Sequence, residues 1–149
     1  MMRHISFYVD GVEGQRRPRV KRGGGAYKSR QDREREKIIR AAYETASTEA
    51  YGRIVTAPAG TPVRVVIVCA RNVKADLRKR DGDTQPDTSY PDLDNICKSV
   101  LDALNPYTGE YGHPGAWADD AQVDRLRAYK LERKRGTKAF TRVDIEWED

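Results

Sequence analysis

The chain has 149 residues, of which 38% are hydrophobic and 34% are charged, with a net charge of +5 and a pI near 9.3. This length supports one folded domain with a single modest core, and the absence of an apolar run of about 20 residues excludes a transmembrane helix. The first residues lack the apolar centre of a signal peptide, so we expect a cytoplasmic protein.

Histidine and cysteine are scarce: the sequence has only His4, His113, Cys69 and Cys97. The spacing of the two cysteines fits neither a disulfide framework nor a zinc motif, so we expect reduced thiols, with Cys97 packed in the core. Two histidines are too few for a typical zinc centre. Any metal would therefore need oxygen ligands, which favours magnesium or manganese.

The first elements in chain order are a strand, a basic loop and a helix. Ile5, Phe7 and Val9 alternate with polar residues and predict a strand with one buried face. Residues 11–27 are rich in glycine and arginine and predict a loop. A helix is predicted to begin near Ser29, which forms a capping-box-like pattern with Asp32, and its start should be half solvated. Its narrow apolar stripe is Ile39, Ala42, Tyr43 and Ala46.

The later elements begin with a nearly continuous β-branched run at 62–70, which predicts a central strand. A loop at 71–91, a helix at 93–104 and turns at 106–115 follow. Strands are predicted at 123–131 and from Thr141 to Trp147. This order predicts an α+β fold: a single domain over residues 1–149, with a mixed β-sheet covered by two main helices.

The predicted helix at 93–104 has two distinct faces. Its core-facing stripe is Leu93, Ile96, Cys97, Val100, Leu101 and Leu104, and its opposite face carries Asp94, Lys98 and Asp102. Asp92 can converge with Asp94 only if it is extended, because two helical residues differ in direction by about 200°. An ordinary interpretation remains open, in which Asp92 caps the helix for about 1–2 kcal/mol and Asp94 pairs with Lys98.

A second acidic pair, Asp119 and Asp120, precedes the predicted strand at 123–131. Alone, such a pair is typical of a polar turn. An α+β domain can, however, bring a helix start and a strand start to one edge of its sheet. Carboxylates about 4 Å apart repel by about 4 kcal/mol at an effective dielectric near 20, so a cluster of three needs a proton or a divalent cation.

Two motifs carry a resemblance to a known family. Residues 91–104 read P-D-L-D-N-x-x-K-x-x-x-D-A-L, and residues 117–123 read W-x-D-D-A-Q-V. Together they resemble the signature of the RusA-family Holliday-junction resolvases, which are small homodimeric endodeoxyribonucleases. The Arg17-Pro18-Arg19 element and Tyr27 extend the resemblance towards the N-terminus.

The resemblance implies roles for the acidic residues and the lysine. Asp92, Asp94 and Asp120 match the metal-binding catalytic aspartates, Lys98 matches the catalytic lysine, and Asp119 matches an adjacent acidic residue of secondary role. The expected cofactor is Mg²⁺, with Mn²⁺ as a substitute, and no small-molecule cofactor or membrane is expected. The expected partner is branched DNA, in particular the four-way junction, bound by a homodimer.

Two basic clusters accompany the acidic motifs and are expected to bind DNA phosphates. They are Arg16, Arg17, Arg19, Lys21 and Arg22, and Arg71, Lys74, Arg78, Lys79 and Arg80. Solvated loops are the alternative for either cluster. Two other functions also remain open: a non-catalytic protein that binds branched DNA or RNA, and a nuclease that cuts other branched DNA.

Overall fold

The computed structural model describes residues 1–16, 19–20, 22–74, 83–107 and 112–149. Its helices are α1 (Arg30–Tyr51) and α2 (Leu93–Leu104). The longer strands are β1 (Met2–Asp10), β4 (Val63–Ala70), β6 (Val123–Lys130) and β8 (Phe140–Glu148). The short strands are β2 (Arg19–Val20), β3 (Ala26–Tyr27), β5 (Thr84–Gln85) and β7 (Arg133–Lys134).

The four longer strands form one mixed sheet in the order β1-β8-β4-β6. The β1–β8 and β8–β4 pairs are antiparallel, whereas β4 and β6 are parallel. Parallel neighbours need a crossover connection, and α2 lies in the chain between β4 and β6. The predicted mixed sheet with two main helices is therefore confirmed.

A single hydrophobic core fills the space between the helices and one face of the sheet. Alternate residues of β4 and β8 are buried there, including Val65, Ile67 and Ile145. From α2, Ile96, Val100 and Leu104 enter the same core, as their 3.6-residue spacing predicts. Cys69 and Cys97 are free and buried, and burial raises the pKa of the Cys97 thiol to about 11.

The start of α1 is exposed on one side, in line with the predicted half-solvated start, but its buried side is polar, which the sequence did not predict. Ser29 does cap the helix by accepting a hydrogen bond from the Asp32 N–H at 3.2 Å, but Asp32, Arg35 and Glu36 are buried. The Arg35 guanidinium donates to the carbonyls of Asp10 at 2.6 Å and Gly11 at 3.1 Å. Polar contacts with the N-terminal segment therefore replace the apolar contacts on which a hydrophobic-stripe prediction depends.

The predicted basic loop at 11–27 contains the two-stranded hairpin of β2 and β3, which the sequence did not predict. A second short pair, β5 with β7, lies beyond the end of β4. Two-residue strands are too short to show periodicity. Within the described ranges, no helix combines the length and the apolar composition needed to cross a bilayer.

Candidate functional site

At the start of α2, Asp92 is extended, which is the condition for its convergence with Asp94. The helix begins at Leu93, and Asp92 occupies the N-cap position in an extended conformation, with φ −65° and ψ 148°. The Asp92 side chain makes no capping hydrogen bond. Asp92 is exposed, so its carboxylate remains available to a ligand from solvent.

Asp94 and Lys98 lie one helical turn apart on the exposed face of α2. Within the part of the chain that the structure describes, they form no ion pair with each other or with another residue. The i,i+4 pair of the ordinary interpretation is therefore absent. An ammonium group so placed can contact a phosphodiester directly, and the carboxylate can do so through a divalent cation.

The two neighbouring aspartates before β6 have different environments. Asp119 caps a short 3-10 turn, Asp120–Gln122: its carboxylate accepts from the Ala121 N–H at 2.9 Å, and Gln122 completes the capping box. Asp120 is half-buried and accepts one side-chain hydrogen bond, from Asn105 Nδ2 at 3.3 Å. Asp119 thus stabilises the turn, and Asp120 keeps acceptor capacity for a ligand.

An open cleft of about 560 Å³ lies between α2 and β6. Its polar lining consists of Asp94, Lys98, Asp102 and Asp120, and its apolar lining of Leu93, Cys97, Leu101, Leu126 and Ala128. Three carboxylates and one ammonium group give the cleft an acidic character, although the whole chain has a net charge of +5. The cleft therefore attracts cations on an otherwise basic chain.

The structure brings together two of the three predicted metal ligands. Asp94 and Asp120 line the same cleft, whereas Asp92 borders a neighbouring cleft of about 340 Å³. Across the described ranges, no group of three His, Cys, Asp or Glu side chains is close enough to hold a metal ion. Two carboxylates still fit magnesium, which binds through one or two carboxylates together with waters and substrate phosphates.

The neighbouring cleft joins Asp92 to the N-terminal basic segment. Gly14 packs so closely on α2 that a Cβ atom there would lie 2.7 Å from Pro91 Cβ and 3.2 Å from Asn95 Cβ. The Gln15 N–H donates to the Asn95 carbonyl at 3.0 Å. Arg16 also lines this cleft, and its side chain is half exposed. One cation of the first basic cluster is therefore placed next to the acidic residues.

Asp102, the second acidic residue on this face of α2, is engaged by protein groups. It accepts from Gln15 Nε2 at 2.7 Å and from Lys28 Nζ at 3.4 Å. Lys28 also pairs with Glu36 of α1, which raises the pKa of the lysine against the opposing effect of burial. Asp102 therefore joins the N-terminal segment to α2, and we do not count it as a metal ligand.

Arg71, which the sequence assigned to DNA binding, has a structural role instead. Its guanidinium donates to both carboxylate oxygens of Asp87, at 2.5 and 2.9 Å, and to the carbonyls of Ser89 and Tyr90, at 3.3 and 2.8 Å. Its side chain is only 15% exposed. These contacts use the donors that a phosphate would need and fix the segment leading to Asp92.

Asp87 is the centre of this arrangement. Its side chain is 1% exposed, and Arg133 Nε lies 3.4 Å from its carboxylate as a second cation. Burial alone would raise the pKa of Asp87, but the hydrogen bonds and charge of Arg71 and the charge of Arg133 hold it below its ordinary value. Lys130 Nζ donates to the Ser89 carbonyl at 2.6 Å. No pattern in the sequence pointed to Asp87, because it lies in an aperiodic loop.

The other predicted DNA contacts divide into two groups. Arg22 and Lys74 are exposed, as a phosphate-binding role requires. Predictions for Arg17, Lys21, Arg78, Lys79 and Arg80, and for the side chain of Arg19, lie outside the described residues.

The fold and the cleft together define a class of site. Asp94, Asp120 and Lys98 line one open cleft beside a mixed sheet, and none of the three has an ion-pair partner among the described residues. Such a set can hold a divalent cation and a phosphate oxygen at the same time. This is chemistry suited to a phosphodiester substrate.

The comparison with known protein families agrees with this class. The family model described as endodeoxyribonuclease RusA matches residues 11–146, which include both helices, the cleft, β4, β6 and most of β8, but not β1. The chain therefore belongs to the RusA family of endodeoxyribonucleases, the Holliday-junction resolvases. No curated protein matches the chain at a significant level.

Proposed function

We propose that this protein is a Mg²⁺-dependent, structure-selective endonuclease that resolves four-way DNA junctions by paired, symmetric nicks. The observation that carries the proposal is that Asp94, Lys98 and Asp120 line one open cleft. Asp94 and Lys98 make no described ion pair, whereas nearby Asp119 is used for helix capping. Family membership supports DNA as the substrate.

We propose Asp94 and Asp120 as metal ligands, with Asp92 as the third. All three provide carboxylate oxygens, the ligand type that Mg²⁺ and Mn²⁺ prefer. When bound, the cation supplies Lewis-acid stabilisation of the charge that develops on the scissile phosphate. The support for Asp92 is its exposed, extended position at the start of α2 and the absence of a side-chain capping bond.

Lys98 is the proposed electrostatic catalyst. Its exposed ammonium group lines the cleft one helical turn beyond Asp94. A lysine held near the scissile phosphate stabilises negative charge that grows in the transition state, and removing one such donor costs about 10²–10³-fold in turnover in other enzymes. Lys98 needs no rearrangement of an existing ion pair to act in this way.

The proposed DNA path passes beside the start of α2. Arg16 borders Asp92, and Arg22 is exposed on the same N-terminal segment. Contacts to phosphates read backbone shape and depend on salt. A homodimer with two such clefts would cut opposing strands of a junction, and this assembly belongs to the proposal.

A matched pair of variants tests the proposal. Asp120→Asn is expected to abolish cleavage of labelled junctions in Mg²⁺ while binding in EDTA stays equal or tightens, because a negative charge beside phosphate is lost. Asp119→Asn keeps a good helix cap and should retain cleavage within about threefold. Wild-type cleavage by Asp120→Asn would contradict the metal assignment.

The substrate needs its own assay. The wild-type protein should cut four-way junctions faster than flaps or linear duplexes, require Mg²⁺ or Mn²⁺, and sediment as a dimer. Equal rates on flaps and junctions would instead favour a general branched-DNA nuclease. Metal-independent binding without cleavage would favour a non-catalytic binder.

A further inference from the structure

Asn105 links a buried tryptophan to the carboxylate of Asp120. The Trp117 Nε1–H donates to Asn105 Oδ1 at 2.7 Å, and Asn105 Nδ2 donates to Asp120 Oδ2 at 3.3 Å. An indole N–H is only a donor, so it selects the amide orientation in which Oδ1 faces Trp117. The amide N–H group must then face Asp120.

The tryptophan at the start of this link is held firmly. Trp117 is 0% exposed, and its backbone forms a bridge with Ala57. The preceding Ala116 donates to the Leu104 carbonyl at 2.8 Å, which ties this segment to the end of α2. Gly115 has a φ of 81°, and a Cβ atom there would lie 2.7 Å from the Leu104 carbonyl oxygen. The close approach therefore requires glycine.

Asp120 itself is poorly anchored by other groups. It lies at the start of a three-residue 3-10 turn, and the Asn105 bond is its one side-chain hydrogen bond to another described residue. A carboxylate on such a turn would otherwise sample several rotamers. Fixing one oxygen leaves the second oxygen as the acceptor for a ligand in the cleft.

We propose that Asn105 is a positioning residue for Asp120 and that Trp117 fixes the orientation of its amide. The role rests on the proposed function, because the orientation matters when Asp120 binds a divalent cation. Groups that orient metal ligands in this way typically change metal affinity by about 10–100-fold when they are removed. The link therefore sets the metal affinity of the cleft without contacting the metal or DNA.

The test compares the metal response of four proteins. Asn105→Ala removes the donor to Asp120, and Trp117→Phe removes the N–H group that orients Asn105. Trp147→Phe is the matched control, because Trp147 is 2% exposed and its Nε1 makes no hydrogen bond within the described structure. Melting temperature is measured against Mn²⁺ and Mg²⁺ concentration without DNA, and cleavage against the same concentrations with a labelled junction.

Asn105→Ala and Trp117→Phe should raise the metal concentration for half-maximal stabilisation by about 10-fold or more. Half-maximal cleavage should shift by the same factor, saturating metal should restore most of kcat, and junction affinity in EDTA should not change. Trp147→Phe should match the wild type. Because Trp117→Phe alone could lose structure, Asn105→Ala decides the outcome, with its melting temperature in EDTA as the folding check.

Two results would overturn the proposal, and they differ in meaning. If the wild type responds to metal and Asn105→Ala changes the half-maximal metal concentration by less than twofold, the positioning role is wrong and the proposed function is unaffected. A wild-type protein whose melting and cleavage both ignore the metal would overturn the positioning role and the metal-dependent function together.

Discussion

Replacing Asp87 with asparagine tests whether charge holds the segment that leads to Asp92. The Asp87 side chain is 1% exposed, and its carboxylate lies 2.5 Å from Arg71 Nη2 and 3.4 Å from Arg133 Nε. Removing one partner of a buried ion pair costs about 3–5 kcal/mol, because the remaining charge stays desolvated. For a chain of this size, each 1 kcal/mol shifts the melting temperature by about 2–4 °C. Asp87→Asn should therefore lower it by roughly 6–20 °C at pH 7.

The pH dependence of this loss is a sharper test. The pKa of Asp87 is lower in the folded than in the unfolded state, so its stabilisation is complete above the ordinary carboxyl pKa of about 4. The stabilisation is lost as the pH falls through the folded-state pKa. The difference between wild type and Asp87→Asn should be constant near neutral pH and should shrink below about pH 4.

Calorimetric scans of both proteins from pH 3 to pH 7 measure this difference directly. Asp83→Asn is the control, because Asp83 lies four residues earlier, is 82% exposed and pairs with Arg135 at 3.5 Å. An exposed pair contributes about 0–1 kcal/mol, so this variant should change little. An Asp87→Asn loss no larger than the control's, or one that is equal at pH 3 and pH 7, would refute the reasoning.

Three further variants test the site and its surroundings. Lys98→Ala should lower kcat by about 10²–10³-fold and leave junction Kd in EDTA within threefold, whereas an equal fall in both would make Lys98 a simple phosphate contact. Arg16→Ala combined with Arg22→Ala should reduce the slope of log K against log salt concentration by about 2, and an unchanged slope would place that segment away from DNA. Gly14→Ala puts a methyl group 2.7 Å from Pro91 Cβ and should cost about 1–3 kcal/mol in urea unfolding; an unaltered midpoint would mean that this contact relaxes freely.

Local patterns predicted most of the sheet and α2. The β-branched run of β4 and the alternation in β8 carry their own periodicity, and the apolar stripe of α2 is complete within 12 residues. An extended Asp92 was also identified as the condition for its convergence with Asp94, because two helical residues at this spacing differ in direction by about 200°. These features depend on neighbours in sequence, which a single chain displays directly.

Long-range polar pairing was not predictable in the same way. Arg71 belonged to a basic cluster and was assigned to DNA, yet its partner Asp87 lies 16 residues away in an aperiodic loop. The burial of Arg35 was not predicted, and it depends on the backbone carbonyls of Asp10 and Gly11, which lie more than 20 residues earlier in the chain. Polar contacts between residues distant in the chain produce no periodic pattern in the sequence, so composition alone does not reveal which charged side chains are engaged.

The candidate site was predictable in its residue types more than in its geometry. The two motifs identified Asp94, Lys98 and Asp120, which share a cleft, but gave equal weight to Asp92, which borders the next cleft. The family resemblance gave Asp119 a secondary role, but the residue types alone did not distinguish it from Asp120. That distinction depends on which carboxylate caps the 3-10 turn, and only the backbone conformation decides it.

The contact of residues 14–16 with α2 affects how the sequence of this protein can vary in evolution. Because Gly14 and Gln15 contact the helix that carries Asp94 and Lys98, the first residues of the basic loop are fixed beside the proposed catalytic residues. The part of the loop after residue 16 can change in length or in charge while Asp94 and Lys98 keep their positions. Substrate preference and chemistry can therefore evolve separately, provided that the close contact of Gly14 with α2 is kept.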